Sequence, residues 1–193
     1  MSSQVHGAQK FDQAKRAEIV FSEDAMKTVQ TIISHYPPEK IKSALLPVLH
    51  VAQAEFGGWL SPETMDYVAS ILKIRPVEVF EVASFYTMYN LKPMGKCVLE
   101  VCQTSSCWLN GAEDIVKYIE KKLNIKVGET TKDGMFSLKV AECLGSCGTA
   151  PMLQCGASYH ENLTYEKVDA ILETYKTDDK LRSYTDLDYK NTL

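Results

Sequence analysis

The 193-residue sequence lacks three features, each of which would define a class of protein. It has no run of about 18 apolar residues, which a membrane-spanning helix requires. It has no basic excess, since Lys and Arg total 21 against 25 Asp and Glu, and it therefore offers no electrostatic footprint for nucleic acid. The N-terminus has no apolar h-region of the kind found in secretory signals. We therefore expect an intracellular, globular protein of a reducing compartment.

Signatures of catalysis and of nucleotide binding are also missing. The sequence contains no G-x-G-x-x-G stretch, so it offers no dinucleotide-binding loop of its own. We find no Ser-His-Asp or Cys-His nucleophile arrangement and no C-x2-C pair of the thioredoxin type. Six cysteines are present. In a reducing compartment they are expected as ligands, redox thiols or core residues rather than as disulfides.

The first part of the chain shows the hydrophobic period of helices. Apolar residues recur at three- and four-residue spacing in successive segments, which are separated by Pro- and Gly-containing breaks. Ser61 and Pro62 suit an N-cap and the first helical position, and Pro76 suits the start of another helix. Pro47 falls inside the second segment and predicts a kink there. These features predict a small helical bundle.

The second part alternates between strand and helix patterns. The stretches "KCVLEVC" and "MFSLKVAE" are rich in β-forming residues, and a clear amphipathic helix lies between them. A hairpin around Gly156 and a closing helix follow. Strand, helix, strand, hairpin and helix in this order predict a small α/β domain.

Four of the cysteines follow the two predicted strands. Cys102 and Cys107 lie at the end of the first strand and in the loop after it, and Cys143 and Cys147 have the same places after the second. A helix between two strands allows a parallel pair with a right-handed connection, and parallel strands end at the same edge of a sheet. We therefore expect these four thiols to converge.

The remaining two cysteines are expected to have other roles. Cys97 precedes Cys102 by an odd number of residues, which places the two side chains on opposite faces of a strand. They would also lie roughly 17 Å apart along it, at about 3.3 Å per residue. We interpret Cys97 as a small buried hydrophobic residue, and Cys155 as a core or surface thiol.

Residue chemistry leaves three occupants for the four thiols. The spacings C-x4-C and C-x3-C fall within the C-x2–4-C range of zinc sites, although these loops are longer than a compact zinc knuckle and unequal. A [2Fe–2S] cluster with four thiolates is negatively charged and needs nearby N–H donors. No Lys or Arg occurs in residues 102–110 or 141–154, so backbone dipoles must supply them. Iron–sulfur fits best, while zinc and an unliganded or redox dithiol stay open.

The motifs at these positions resemble a known family. "EVCQTSSCWLNGAEDI", "AECLGSCGTAPMLQ" and "YHENLTYEKVDAIL" are similar to the thioredoxin-like [2Fe–2S] subunit of NADH:quinone oxidoreductase, respiratory complex I. "ALLPVLHVAQAEFGGWL" and "RPVEVFEVASFYTMY" extend the resemblance to the helical part. It covers about residues 20–175 in continuous order.

The resemblance implies a fold class and a division of the chain. The class is α+β or α/β, with an N-terminal helical bundle followed by a thioredoxin-like, mixed-sheet [2Fe–2S] ferredoxin domain. The expected regions are a flexible arm, a helical docking domain, the ferredoxin domain and a polar tail, at residues 1–20, 21–92, 93–176 and 177–193 respectively.

The resemblance also implies a site and a function. Cys102, Cys107, Cys143 and Cys147 would ligate one [2Fe–2S] cluster, which exchanges one electron with FMN on a partner subunit. That partner would also bind NADH, so no catalysis is expected from the isolated chain. The assembly would be a cytoplasmic peripheral arm, or on the matrix side in mitochondria, without direct membrane insertion.

Two alternatives to the complex I role follow. The chain could be the equivalent diaphorase subunit of an NAD-reducing hydrogenase or formate dehydrogenase, which has the same domain architecture. A protein of a different class, a zinc-stabilised interaction module, would use the same four cysteines without redox chemistry. Phe85, Tyr86 and Tyr89 form an aromatic group that indicates an interface in either case, and Trp108 could cover the metal site or touch a partner.

Overall fold

The structure, a computed structural model, describes residues 19–177. Most of the predicted arm, residues 1–18, and nearly all of the predicted tail, residues 178–193, lie outside the described residues. The elements in chain order are α1 (Glu23–Ser34), a 3₁₀-helix (Pro38–Ala44), α2 (Leu45–Glu55), α3 (Pro62–Leu72), α4 (Pro76–Phe85), β1 (Cys97–Cys102), α5 (Ser105–Leu109), α6 (Ala112–Leu123), β2 (Phe136–Ala141), a 3₁₀-helix (Cys147–Thr149), β3 (Leu153–Cys155), β4 (Ser158–His160) and α7 (Tyr165–Thr177). None of the helices between residues 19 and 177 has both the length and the apolar character needed to cross a bilayer.

The starts of the first helices follow from local sequence. The Ser22 hydroxyl accepts a hydrogen bond from the Ala25 N–H and caps α1. Ser61 caps α3 in the same way through the Thr64 N–H, with Pro62 in the first position as predicted. Pro76 likewise opens α4. These caps satisfy N–H groups that have no partner within the helix.

The prediction at Pro47 is wrong in one respect. The predicted second helix is divided into the 3₁₀-helix and α2, and the boundary precedes Pro47 by a few residues. Pro47 therefore lies in the first turn of α2, where an N–H has no intrahelical α-type acceptor, so its missing N–H is tolerated. The chain changes helix type before the proline.

The helices pack around a core of their own, and we call residues 19–90 the helical unit. Side chains from α1 to α4 meet in one cluster, together with Leu60 and Tyr89 from the connecting segments. Val29, Val48, Leu49 and similar residues in this cluster are completely buried. Burying such side chains contributes about 1.5–3 kcal/mol each relative to their exposure to water.

The second part of the chain forms a mixed four-stranded sheet, and we call residues 96–177 the sheet unit. The strand order is β2-β1-β3-β4. β1 and β2 are parallel, as predicted, in a register that pairs Cys97 with Phe136 and Cys102 with Ala141. β3 runs antiparallel to β1, and β4 to β3, which confirms the predicted hairpin. The core of this unit includes Leu99, Leu138 and Ile119.

The short helix α5 of the sheet unit was not predicted. Cys107 lies in the short helix α5 rather than in a loop. Five residues are too few to show a helical period, and an isolated helix of this length is not stable in water. α5 forms because its buried Cys107 and the preceding strand hold it against the core.

The connection between the two units passes through a close contact at Gly95. Its N–H donates to the Ser137 Oγ at 2.7 Å. A Cβ at this position would lie 2.8 Å from the Phe136 carbonyl carbon, which is part of the β2 backbone. Only glycine fits without moving the strand.

We expect Gly95→Ala to lower the free energy of unfolding by about 1–3 kcal/mol, the usual cost of overpacking. Backbone atoms cannot rotate away, so this clash outweighs the stabilisation that alanine gives through the unfolded state. The measurement is the urea midpoint. Gly148→Ala is the matched control, because its added methyl group meets nothing within 4 Å. Equal midpoints for the two variants would contradict the prediction.

Candidate metal centre

The structure places the four predicted cysteines at one edge of the sheet. Cys102 ends β1 and Cys107 lies in α5; both are buried, with 4% and 2% of their surface exposed. Cys143 and Cys147 lie on the segment that follows β2, and both are exposed. We call residues 142–149 the cysteine loop. One pair of thiols therefore faces the interior and the other pair faces solvent.

The Cys102 sulfur is the point at which the segment after β1 meets the cysteine loop. It is in hydrogen-bond contact with the Cys107 thiol and with the backbone N–H groups of Thr104 and Leu144. It also lies 3.8 Å from the Glu142 carbonyl oxygen. Glu142 and Leu144 are the two neighbours of Cys143, so Cys143 is held next to the Cys102 sulfur from both sides.

Further contacts join the first cysteine segment to the cysteine loop. The Ser106 hydroxyl donates to the Cys147 carbonyl at 2.9 Å, and the Thr104 hydroxyl donates to the Glu142 carbonyl. Cys107 also lies close enough to Cys147 for the charge of one to affect the pKa of the other. The structure thus brings all four predicted residues into one neighbourhood.

The two buried thiols differ in acidity. Burial by itself raises the pKa of Cys102, but hydrogen bonds from Thr104, Leu144 and Cys107 outweigh it and the pKa is lowered. Burial and the Cys107–Cys102 hydrogen bond raise the pKa of Cys107 to about 11, against a backbone hydrogen bond from Met152. Backbone N–H groups therefore already point at both sulfurs, which is the environment that a thiolate ligand requires.

The cysteine loop is fixed by β4 and the residues after it. The Tyr159 hydroxyl donates to the Leu144 carbonyl at 2.8 Å. The Glu161 carboxylate accepts from the hydroxyls of Ser146 and Thr149, the second at 2.7 Å. These two bonds lower the pKa of Glu161 and keep it ionised near neutrality. Sequence analysis missed these residues because contacts across more than ten residues leave no local pattern.

A single glycine allows the loop to turn between its two cysteines. Gly145 has a φ of +78°, which side chains other than glycine rarely adopt. The turn separates Cys143 from Cys147 and leaves both exposed.

The other two cysteines lie elsewhere in the sheet unit. Cys97 is at the opposite end of β1 from Cys102 and is 1% exposed. Cys155 is also buried, and its thiol forms a hydrogen bond with that of Cys97. This contact and burial raise the pKa of Cys155 well above its ordinary value. Cys155 therefore remains protonated, and both cysteines are buried in the core of the sheet unit.

The donor set fits a group larger than one metal ion. A [2Fe–2S] cluster has two irons with two protein ligands each, so its four sulfurs lie around a wider group. Four thiols in one neighbourhood, with N–H donors and no basic side chain among them, suit that group better than a zinc knuckle.

Exposed apolar residues occur beside the cysteines and on α4. Trp108 and Leu109, directly after Cys107, are 54% and 74% exposed. Phe85 and Tyr86 at the end of α4 are also exposed. Tyr89 is not: it is buried, and its hydroxyl donates to the Leu46 carbonyl at 2.8 Å. Its predicted place in an exposed aromatic interface is therefore wrong.

Comparison with known proteins identifies the class of this fold and site. The family model of the thioredoxin-like [2Fe-2S] ferredoxin matches residues 29–176, and a solved chain of NAD+-reducing [NiFe]-hydrogenase in the H2-reduced state has the same fold. For that chain the TM-score is 0.60 at 19% identity, over 69% of this chain and 22% of the other. This chain thus spans about a fifth of the hydrogenase chain. It belongs to the thioredoxin-like [2Fe–2S] ferredoxin family, which confirms the predicted resemblance and fold class and assigns one [2Fe–2S] cluster to it.

Two relatives are more similar in sequence. The chain is 46% identical over 158 residues to a subunit of NADH-quinone oxidoreductase from Rickettsia bellii (strain RML369-C), which covers 82% of this chain and 95% of the relative. It is 41% identical over 156 residues to the mitochondrial NADH dehydrogenase [ubiquinone] flavoprotein 2 of Dictyostelium discoideum, covering 81% of this chain and 63% of that protein.

We expect Glu161→Ala to make the amides of residues 144–149 exchange several-fold faster, because the loop loses the acceptor of two hydroxyls. Since the pKa of Glu161 is lowered on folding, its stabilisation is complete at neutral pH. The difference from the parent should shrink as the pH falls below the ordinary carboxyl value of 4.5, and it should vanish at the lower pH where folded Glu161 is protonated as well.

Hydrogen exchange followed by mass spectrometry measures this effect. Glu166→Ala is the control, since Glu166 is an exposed carboxylate whose pKa is also lowered, but its bonds are to Thr164 and its own backbone. Equal exchange in the two variants would show that Glu161 does not hold the loop.

Proposed function

We propose that Cys102, Cys107, Cys143 and Cys147 ligate the [2Fe–2S] cluster, and that the chain is the electron-transfer subunit of an NADH:quinone oxidoreductase. The observation that carries this proposal is the convergence of both cysteine segments on the Cys102 sulfur. The named relatives, at 41–46% identity, support the complex. When bound, the cluster takes up and releases one electron.

The ligands divide the work by their exposure. Cys102 and Cys107 lie in the core and exclude water from one side of the site, while N–H groups of Thr104, Leu144 and Met152 offset thiolate charge there. Cys143 and Cys147 lie at the surface, which is the side that an electron donor can approach. Because the cysteine segments lack Lys and Arg, these backbone dipoles are the main compensation for negative charge.

The partner in this proposal is the subunit that binds FMN and NADH. Residues 21–92 form the docking domain, with exposed Phe80, Phe85 and Tyr86 as apolar contacts, and residues 93–176 form the cluster domain. The arm of the complex that contains them lies on the cytoplasmic side of the membrane, or in the matrix in mitochondria. The isolated chain has no reaction of its own.

Two other assignments remain as outcomes of the tests. A diaphorase subunit of an NAD-reducing hydrogenase or formate dehydrogenase would have the same cluster but a different large partner. A zinc-stabilised module would have the same cysteines and no redox activity. The sequence identity to the named relatives favours a subunit of NADH:quinone oxidoreductase over both of these alternatives.

Replacement of Cys102, Cys107, Cys143 or Cys147 singly by Ser should abolish or strongly weaken the visible absorbance of the cluster and the EPR signal of its reduced form. Cys97→Ser, the matched control at a buried cysteine, should leave both intact. Bleaching by Cys97→Ser, or full absorbance in any of the four single variants, would refute this ligand set.

The purified chain should contain iron and sulfide, show a red-brown colour and oxidise no NADH. No NADH oxidation is expected because we find no nucleotide-binding loop and no flavin site in the sequence. Metal analysis and an NADH oxidation assay on one sample measure this, and a pull-down identifies the large subunit. A colourless, zinc-loaded sample would exclude the redox role, and turnover of NADH by the chain alone would exclude the division of labour.

A further inference from the structure

A single lysine side chain bonds to both units of the molecule. Lys139, on β2, donates to the Thr87 carbonyl at 2.8 Å and to the Asn90 Oδ1 at 3.0 Å, both in the helical unit. Its Nζ also pairs with the Glu100 carboxylate on β1 at 2.9 Å. A lysine ammonium has three N–H donors, and here each has an acceptor.

On the helical side, the acceptors belong to a rigid and buried network. Asn90 is 4% exposed and Gln53 is fully buried. The Gln53 side chain accepts from the Asn90 N–H at 2.7 Å and donates to the Met88 carbonyl at 3.1 Å. The Asn90 side chain also donates to the Gly58 carbonyl at 3.0 Å. Lys139 is therefore bonded to a segment that the core of the helical unit fixes.

On the sheet side, Lys139 pairs with a residue on the strand that carries one of the proposed cluster ligands. Glu100 and Lys139 are register partners in the parallel pair, and the Glu100 side chain is mostly buried. Glu100 and Cys102 are two residues apart, so their side chains share one face of β1, roughly 7 Å apart along the strand. The ion pair therefore lies on the same strand face as the buried ligand candidate.

We propose that Lys139 is a positioning residue that locks the helical unit against the cluster-bearing edge of the sheet unit. An ammonium with three fixed acceptors on two units resists rotation of one unit against the other, because any such rotation breaks the charge-assisted hydrogen bonds to Thr87 and Asn90 made by a side chain that is only 21% exposed. Its consequence for electron transfer rests on the function proposed above. The lock would hold the docking surface of the helical unit at a constant distance from the four cysteines.

The distance between the units tests this lock directly. Nitroxide labels attached at Gln30→Cys on α1 and Lys121→Cys on α6, both exposed positions, report that distance by pulsed EPR. The cluster is kept oxidised, in which state it is diamagnetic, and the native cysteines are either buried or occupied by it. We expect one narrow distance distribution in the labelled parent and a broader or bimodal one in Lys139→Met.

Two variants separate the lock from a general loss of stability. Lys139→Arg keeps the charge and the donors and should restore the narrow distribution. Glu100→Gln removes the ion pair within the sheet but keeps the bonds to Thr87 and Asn90, and it should also stay narrow. If Lys139→Met loses the visible absorbance of the cluster, Lys139→Gln takes its place in the same measurement.

A narrow distance distribution in Lys139→Met, or in Lys139→Gln where it takes the place of that variant, would overturn the proposal. Equal broadening in Glu100→Gln would also overturn it, since the ion pair within the sheet would then be responsible. The test does not depend on the identity of the metal, because zinc is diamagnetic as well. A failure of the proposed electron-transfer role would therefore leave the distance result unchanged, and the two outcomes are distinguishable.

Discussion

The parallel pairing of β1 with β2 is the constraint on which the candidate site depends. Its register sets Cys102 beside Ala141, so the segment with Cys107 and the segment with Cys143 and Cys147 leave the sheet at the same edge. A slip of one residue would turn Cys102 to the other face of the sheet and separate it from the N–H of Leu144. The location of the candidate site is thus a property of the sheet rather than of either loop.

The two halves of the candidate site differ in their exposure to solvent. The half with Cys102 and Cys107 is part of the hydrophobic core, while the cysteine loop lies at the surface and is held by polar contacts from Tyr159 and Glu161. The buried half excludes water and supplies N–H donors, which shape the potential of an iron–sulfur site. The exposed half is the side that the proposed partner could approach. Electron transfer needs both properties in one place.

The two units have separate cores, yet polar contacts join them. Lys139 on β2 bonds to Thr87 and Asn90, and the N–H of Gly95 in the connecting segment donates to the Ser137 Oγ on β2. Interfaces between domains of one chain are often polar and permit motion. A mostly buried lysine side chain with all donors satisfied instead favours one arrangement, which agrees with the proposal that the docking surface and the cluster lie on different units.

The sequence by itself determined where the helices at Ser61 and Pro76 begin, that two strands are parallel, where the hairpin lies and that four cysteines converge at one edge of the sheet. Helix caps, the hydrophobic period and the position of a residue at the end of a strand are all local signals. The sequence did not reveal α5, the helix boundary before Pro47 or the burial of Tyr89. Nor did it reveal the contacts of Glu161 and Lys139 with distant residues. Only the tertiary structure decided these, since a short helix depends on the core behind it and a hydrogen bond between distant segments has no spacing that a sequence records.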